Sequence, residues 1–407
     1  MHILIIHQAF AALDEPGGTR HHEIARHLEK KGHRVTIITS PVSYLTGTVK
    51  NDRRSKNKKT SKTERIKVIR SYTYPALHRS FFHRIISFVS FMVSSFIVAL
   101  RVHEVDLVWG TSPPIFQGIT AWIISKLKRV PFLFEVRDLW PAFAIEVGIL
   151  KNPILIRASE WLEHFLYAHA DLVIVNSPGF IQHVEKCGAN RIELVPNGSD
   201  PEMFHPKDHG EDFRIKYQFG LKDKFVALYA GAHGMSNDLG VLLDAADKLR
   251  DYENIEIILL GDGKEKPSLI SRAEEMNLTN VHFLSPIPKI QMSKALASAD
   301  ACIAILKPVP LYGTVYPNKV FDYMAAGRPV VLAIDGVIRE VIERAEAGIF
   351  VAPGNADAVA NAIKHLSSDP ELCSNMGLQG RRYIEQHFNR QHLADKLVAI
   401  MENLVRV

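Results

Sequence analysis

"PNKVFDYMAAGRPVVLAIDG", residues 317–336, reads as a helix stopped by a glycine and followed at once by a strand. Val320, Phe321, Met324 and Ala325 recur at helical spacing, Gly327 ends the helix, and Pro329-Val330-Val331 opens an extended run. One acid, Asp322, stands among these apolar residues. It falls off the apolar stripe and close to the helix N-terminus, where the dipole stabilises any surface carboxylate. In that position a carboxylate can also accept two hydrogen bonds from a vicinal diol such as a ribose.

The same alternation extends through the chain. Apolar runs at 3–6, 35–39, 105–109, 131–135 and 172–175 predict strands separated by helices. A second set follows at 225–229, 255–260, 281–284, 301–305 and 330–334. Strands alternating with helices imply an α/β class with parallel sheets covered on both faces. Between the two sets "NGSDPEMFHPKDHG", 197–210, has two prolines, two glycines and little periodicity, and reads as a linker. At 407 residues the chain exceeds one ordinary core, so two doubly wound domains are expected, 1–200 and 201–385, with a last helix at 386–407 returning to the first. Ligands of such folds bind where loops leave the carboxyl ends of the strands, and an interdomain cleft is the expected place.

Each set has a glycine turn after its first strand, Gly17-Gly18 and Gly231-Ala232-His233-Gly234. Glycine lets backbone N–H groups approach a phosphate at a helix N-terminus, although plain turn geometry asks for the same residues. Metal catalysis is not suggested by spacing: 19 histidines include no HExxH, and no two aspartates are separated by a single residue. A nucleotide diphosphate would then be held by protein cations and amides. Three scattered cysteines without a CxxC pair suit a reducing compartment. The chain opens directly on an apolar strand without the features of a secretory signal, which predicts a cytoplasmic protein.

The net charge of +5 is uneven: residues 50–70 carry +8 and the remainder −3. Downstream, "RSFFHRIISFVSFMVSSFIVALR", 79–101, is uncharged from Ile85 to Leu100. Ser80, His83, Arg84, Ser87, Ser90, Ser94 and Arg101 share one stripe, and the rest of the surface is apolar. The uncharged run is shorter than the ~20 residues that span a bilayer. It predicts a helix buried on the first sheet or lying in a membrane surface, where a neighbouring cationic segment attracts anionic lipid.

Taken together, "PNKVFDYMAAGRPVVLAIDGVIREVI", "GGTRHHEIARHLEKKGHRVTIIT", "FEVRDLWP", "LVPNGSDPEMF" and "LLGDGKEK" resemble the retaining GT-B glycosyltransferases of family 4. "SPP" at 112–114 and "RDLWP" at 137–141 add a similarity to the bacterial L-fucosamine-type transferases of O-antigen and capsule synthesis. The resemblance implies two Rossmann-like domains, a nucleotide-sugar donor on the C-terminal one and an acceptor on the N-terminal one. It implies no separate cofactor and no catalytic metal, and a nucleic-acid partner is not expected. The expected donor contacts are Gly17, Gly18, Gly231, His233, Gly234, Gly261, Asp262, Gly263, Lys264, Asn318 and Lys319, with Asp322 implied by the resemblance on the ribose. Departures matter here. The first acid of the family's E-x7-E pair falls at Thr314, and "AHGMSND" lacks the family's Arg and Lys for the diphosphate, leaving Lys319, Lys307 and Lys264 as replacements. Where many relatives have His-Asp this chain has Arg137-Asp138. Arginine is no base, but its fork can hold an acceptor phosphate or the departing diphosphate, which leaves Asp138 as the expected acceptor-facing carboxylate, to orient the acceptor hydroxyl or accept its proton.

The expected reaction moves a sugar from a UDP-sugar, an N-acetylamino sugar such as N-acetyl-L-fucosamine, to a polyprenyl-diphosphate-linked or other glycan acceptor. The setting is the inner face of the cell membrane, reached through residues 50–101. Two alternatives are a nucleotide-sugar 2-epimerase or hydrolase on the same fold, and a non-catalytic assembly scaffold.

Overall fold

The computed structural model describes residues 1–15, 17–43, 47, 49, 65–75, 81–206 and 224–406. Most of the basic segment, 50–64, together with 76–80 and the end of the expected linker, 207–210, lies outside them. The chain divides into two compact units, one of Met1–Ala12, Gly18–Pro196 and Leu393–Val407, the other of Leu13–Gly17 and Asn197–His392.

The first unit runs β1 (His2–Ile6), α1 (Arg20–Lys30), β2 (Arg34–Thr39), β3 (Ile66–Arg70), α2 (Phe81–Leu100), β4 (Leu107–Ser112), α3 (Gln117–Lys128), β5 (Phe132–Val136), α4 (Ala142–Glu146), α5 (Pro153–His169), β6 (Leu172–Val175), α6 (Ile181–Lys186) and β7 (Ile192–Leu194). Its sheet has the order β3-β2-β1-β4-β5-β6-β7, and every pairing is parallel. Strands β1, β4 and β5 are buried along their whole length and mostly apolar, with Thr111 and Ser112 of β4 and Glu135 of β5 buried among the apolar residues.

The second unit runs β8 (Phe225–Ala232), α7 (Gly240–Lys248), β9 (Ile255–Asp262), α8 (Lys266–Glu275), β10 (Val281–Leu284), α9 (Lys289–Ala297), β11 (Ala301–Ile305), α10 (Asn318–Ala325), β12 (Val330–Ala333), α11 (Val337–Arg344), β13 (Gly348–Phe350), α12 (Ala356–Ser368) and α13 (Pro370–His387). Its sheet, β10-β9-β8-β11-β12-β13, repeats the pattern of the first. A final helix, α14 (Arg390–Arg406), places Leu397, Met401 and Leu404 in the first unit's core beside Ile24 and Leu28 of α1.

All ten strands read from the sequence are present, with small shifts at their ends. The strands β3, β7 and β13 were not expected. Each lies at the edge of a sheet and is only partly buried, so none carries a continuous apolar run. The opening segment closes as its glycine predicts. The left-handed freedom of glycine is needed at Gly327, whose φ is +66°; its N–H bonds to the Met324 carbonyl at 2.9 Å and that of Arg328 to the Tyr323 carbonyl at 3.1 Å. These two bonds are the Schellman arrangement that ends a helix and releases the chain into β12.

Candidate functional site

In the second unit the connections from β8 and β11 turn in opposite directions along the sheet, which makes their carboxyl ends the switch point of the fold. Gly231, His233 and Gly234 lie at the end of β8 and its loop, beside Gly261, Asp262 and Gly263 at the end of β9. Glycine is required in this pair of turns. A Cβ on Gly261 would stand 1.8 Å from the Gly231 carbonyl oxygen, and one on Gly263 would stand 2.4 Å from that of His233. Asp262 closes its own turn by accepting the Gly263 N–H at 2.8 Å, while the Lys264 side chain is exposed.

His233 is fully buried, and neither ring nitrogen has a hydrogen-bond partner among the described residues. Burial, assisted by the nearby Lys266 charge, pushes its imidazole down to about 4. It is therefore neutral at neutral pH, with one donor and one acceptor.

Lys319, on the first turn of α10, lays its ammonium 3.9 Å from the centroid of the Tyr229 ring. The space for it exists because residue 231 is glycine: a Cβ there would lie 2.6 Å from Lys319 Nζ. No carboxylate pairs with this ammonium among the described residues, and burial pushes it down to about 7. A cation without a counter-charge, beside closely packed glycine turns, is an arrangement that an anionic group completes.

Asp322 differs from its expectation. It was placed off the apolar stripe near the surface, yet α10 is buried from Val320 to Ala325 and Asp322 is buried with it. Its Oδ1 accepts from Ser199 Oγ at 2.8 Å, and its Oδ2 from Asn318 Nδ2 at 3.0 Å and from Lys289 Nζ. Asn318 is engaged as well, since its Oδ1 accepts from Arg390 at 2.8 Å. The carboxylate thus ties the chain at Ser199, the start of α9 and the start of α10 into one knot. A carboxylate has about four acceptor directions, so one on Oδ1 is left by these bonds. Thr314 caps its own turn through a bond to the Leu311 carbonyl at 2.7 Å, and Lys307 donates its backbone N–H to Ser236 at 3.0 Å. Gly17 and Gly18 are exposed in the turn before α1.

In the first unit, Arg137 follows β5 and reaches back across the switch point between β1 and β4. Its Nε donates to Thr111 Oγ1 at 3.0 Å and to the Ser112 carbonyl at 2.9 Å, and its Nη2 lies 3.0 Å from His7 Nε2. Below it, the buried Glu135 receives Arg20 at 2.8 Å and His21 at 2.6 Å. Burial favours protonation of Glu135, but His21 and Arg20 more than reverse this and hold its carboxyl well below the usual range. Asp138 is the opposite case. Burial pushes it up to about 6 against the opposing charge of Arg137, with Glu163 adding to the rise, and its Oδ1 has no hydrogen-bond partner among the described residues. One carboxylate is locked in its charged form and its neighbour three residues on is poised to take a proton.

Helix α2 is turned in an unexpected way. Its serines face inward: Ser87 and Ser95 are fully buried, Ser90 Oγ accepts the Tyr74 N–H at 2.9 Å, and Ser94 Oγ donates to the Tyr72 carbonyl. Phe82, Ile86, Val89, Val93, Ile97 and Leu100, spaced by three and four, are exposed instead. The stretch Phe82–Leu100 is long and apolar enough to cross a membrane by length and composition, contrary to the expectation that it is too short. Phe91, Ser95 and Ala99 are nevertheless fully buried in the unit, so one face belongs to the fold.

The profile of the "Glycosyl transferase 4-like domain" matches residues 17–198, and that of "Glycosyl transferases group 1" matches residues 224–369. The chain is a glycosyltransferase of the GT-B fold. This glycosyltransferase is 23% identical to WcaI of Escherichia coli, a glycosyl transferase assigned by its name to colanic acid biosynthesis, over 92% of this chain and 93% of the relative. It is 24% identical to the sulfoquinovosyl transferase SQD2 of Arabidopsis thaliana over 69% of this chain, a match that spans 54% of that protein. Among solved structures, HepE of Anabaena in complex with UDP-glucose superposes with a TM-score of 0.74 at 19% identity, over 99% of this chain and 100% of that one.

Sequence reading of the glycosyltransferase missed several of these residues. Lys289 and Ser199 are separated from Asp322 by 33 and 123 positions, and no local pattern links them. Arg20, His21 and Glu135 look like an ordinary amphipathic helix and strand. The signal available was Glu135 itself, a charge inside an apolar strand that must be paired.

Proposed function

We propose that this glycosyltransferase moves an N-acetylamino sugar from its UDP donor to a polyprenyl-diphosphate-linked sugar at the inner membrane face, in bacterial surface-polysaccharide synthesis. The observation that carries the reading is Lys319, a half-buried ammonium without a carboxylate partner among the described residues, set against Gly231 and the ring of His233, which has no hydrogen-bond partner among those residues. A diphosphate supplies the charge that Lys319 lacks, and the amides around Gly231, Gly234, Gly261 and Gly263 supply further donors. Asp322 accepts one ribose hydroxyl at the remaining direction of Oδ1, with Asn318 and Lys289 fixing its orientation. HepE, of the same fold, binds UDP-glucose, which supports a UDP-sugar donor.

The first unit takes the acceptor. As the bond from the sugar to the diphosphate breaks, the acceptor hydroxyl attacks and its proton passes to Asp138, whose position near pH 6 suits a base. Lys319 stabilises the charge on the departing UDP. Arg137, anchored by Thr111 and Ser112, holds a phosphate of the acceptor. The exposed stripe of α2 and the basic residues 50–64 rest on the anionic leaflet that carries the lipid acceptor.

Incubating the protein with candidate UDP-sugars, with and without a polyprenyl-diphosphate-linked sugar, tests this. A glycolipid formed only with the acceptor supports it. An epimer or free sugar formed without acceptor, or no turnover with any donor, sinks it.

A further inference from the structure

Helices α5 and α6 bring together three side chains that the transfer does not employ. Glu163 on α5, His183 on α6 and Cys187 just after it each offer one donor atom, and all three atoms lie within 4.8 Å of one another. His183 Nε2 is 2.9 Å from Glu163 Oε1 and 3.5 Å from Cys187 Sγ. Ligands at the corners of a tetrahedron with bonds of about 2.0–2.3 Å stand roughly 3.3–3.7 Å apart, so these atoms need only small movements to surround one ion. The four-residue spacing of His183 and Cys187 keeps both on one helix face, and the Cys187 N–H still bonds to the His183 carbonyl at 3.0 Å.

We propose that Glu163, His183 and Cys187 form a zinc site, with its fourth position open to water. The donor set of thiolate, imidazole and carboxylate matches zinc rather than magnesium or calcium, which take oxygen ligands. Charge balance points the same way. Glu163 is buried, and among the described residues it forms no ion pair with a lysine or arginine; its one basic partner is His183, partly exposed at the surface. A dication held by one carboxylate, one thiolate and a neutral imidazole gives a net charge of zero. The outer shell is in place, because Tyr167 donates its hydroxyl to Glu163 Oε1 at 3.1 Å and fixes the carboxylate. The exposed side of His183 gives the ion a route from solvent. On binding, the Cys187 thiol proton and any proton on His183 pass to solvent, with no change of oxidation state.

Cobalt(II) reports such a site directly. Full-length protein stripped with chelator and titrated with Co²⁺ is expected to develop a thiolate-to-cobalt charge-transfer band that saturates at one equivalent and is lost when Zn²⁺ is added. One equivalent of Zn²⁺ is expected to raise the melting temperature of the same protein. Cys187→Ser and His183→Gln should abolish both effects, whereas Cys302→Ser and Cys373→Ser should leave them intact. His183 is partly exposed, so its variant keeps the test valid where Cys187→Ser fails to fold. Absence of the band and of the melting shift in the unaltered protein, or a band that survives both Cys187→Ser and His183→Gln, overturns the site. Neither readout depends on turnover.

Discussion

Lys289 and Asp322 form an ion pair closed off from solvent, their side chains only 10% and 8% exposed. The pair joins the first turn of α9 to the second turn of α10, and Ser199 and Asn318 complete it. Removing one partner of a buried pair leaves the other uncompensated, at a cost of about 3–5 kcal/mol. Asp322→Ala should destabilise the protein by that order, and adding Lys289→Met should recover most of the loss. Asp322→Asn should lose less stability than the alanine variant while still weakening UDP binding. Denaturant unfolding of the four proteins in a double-mutant cycle, with UDP titration beside it, measures both. Additive stability losses would mean that the pair does not couple.

With Lys319 as the proposed diphosphate contact, donor binding should depend on pH. Its ammonium, held near 7 by burial, carries a proton below that value and loses it above. Binding of UDP should therefore be tightest below pH 7 and weaken above it by up to about tenfold per unit, until the pKa of the complex is reached. Lys319→Met should remove this dependence and weaken binding at pH 6.5 by on the order of ten- to a hundredfold, the scale of a charged hydrogen bond. Stability moves the other way. Between about 7 and 10.5 the unfolded chain holds a proton that the folded one has given up, so this lysine's contribution rises with pH across that window. Calorimetric titration of UDP from pH 6 to 9 checks the binding part.

The alternation of strands and helices was legible because central strands are buried on both faces and so are largely apolar; β1 and β5 could be read to within one residue at each end, whereas β4 begins two residues and ends three residues later than its apolar run. The edge strand β3, "IKVIR", is half exposed and resembles the basic stretch that precedes it. Candidate site residues divide along the same line. Gly231, Gly261 and Gly263 stood out as local glycine patterns, and at Gly261 and Gly263 only glycine fits the close backbone approach. Asp322 was recognised as special, but its burial and its link to Lys289 depend on helices distant in sequence. His183 and Cys187 offer a short spacing, while Glu163 comes from the preceding helix and completes the cluster only in three dimensions.

Gly231 separates the seat of Lys319 from the stability of the turn. A Cβ at this position meets Lys319 Nζ at 2.6 Å, the far end of a flexible chain, whereas one at Gly261 meets the Gly231 carbonyl at 1.8 Å. Gly231→Ala should displace the ammonium and raise the UDP dissociation constant with a modest loss of stability. Gly261→Ala forces two backbones apart and should lower the melting temperature more. Thermal melts and UDP titrations of the two variants distinguish the effects, and equal melting losses would contradict the geometry.

As the proposed base, Asp138 should set a lower pH limit on transfer. With its carboxyl near 6, the form that accepts a proton disappears as pH falls through that value, and kcat/KM should fall with it. Asp138→Asn should lower kcat by about 10²–10⁴ and abolish the acid limb. Between 3.8 and about 6 the folded chain holds a proton that the unfolded chain releases, so this group's contribution to stability is lost as pH rises through 6. Replacing its buried charge by a neutral amide should therefore raise the melting temperature at pH 8. A pH profile of both proteins on one acceptor settles the catalytic part, and an unchanged acid limb in the variant removes Asp138 from it.

The outward stripe of α2 makes the proposed membrane contact separable from folding. Val93 and Ile97 are 52% and 48% exposed, while Phe91 and Ala99 on the inward face are fully buried. Charges introduced at the outward positions cost the free protein little, since they remain in water, but they prevent shallow insertion of this face into lipid. Val93→Glu with Ile97→Glu should leave the melting temperature and the affinity for UDP unchanged. In flotation with vesicles containing anionic phospholipid, the unaltered protein should rise with the lipid and the double variant should stay behind. Replacing basic residues of 50–64 by glutamine should weaken flotation chiefly at low salt, because that attraction is screened within a Debye length. If the double variant floats as well as the unaltered protein, α2 does not meet the membrane and its exposed residues serve another contact.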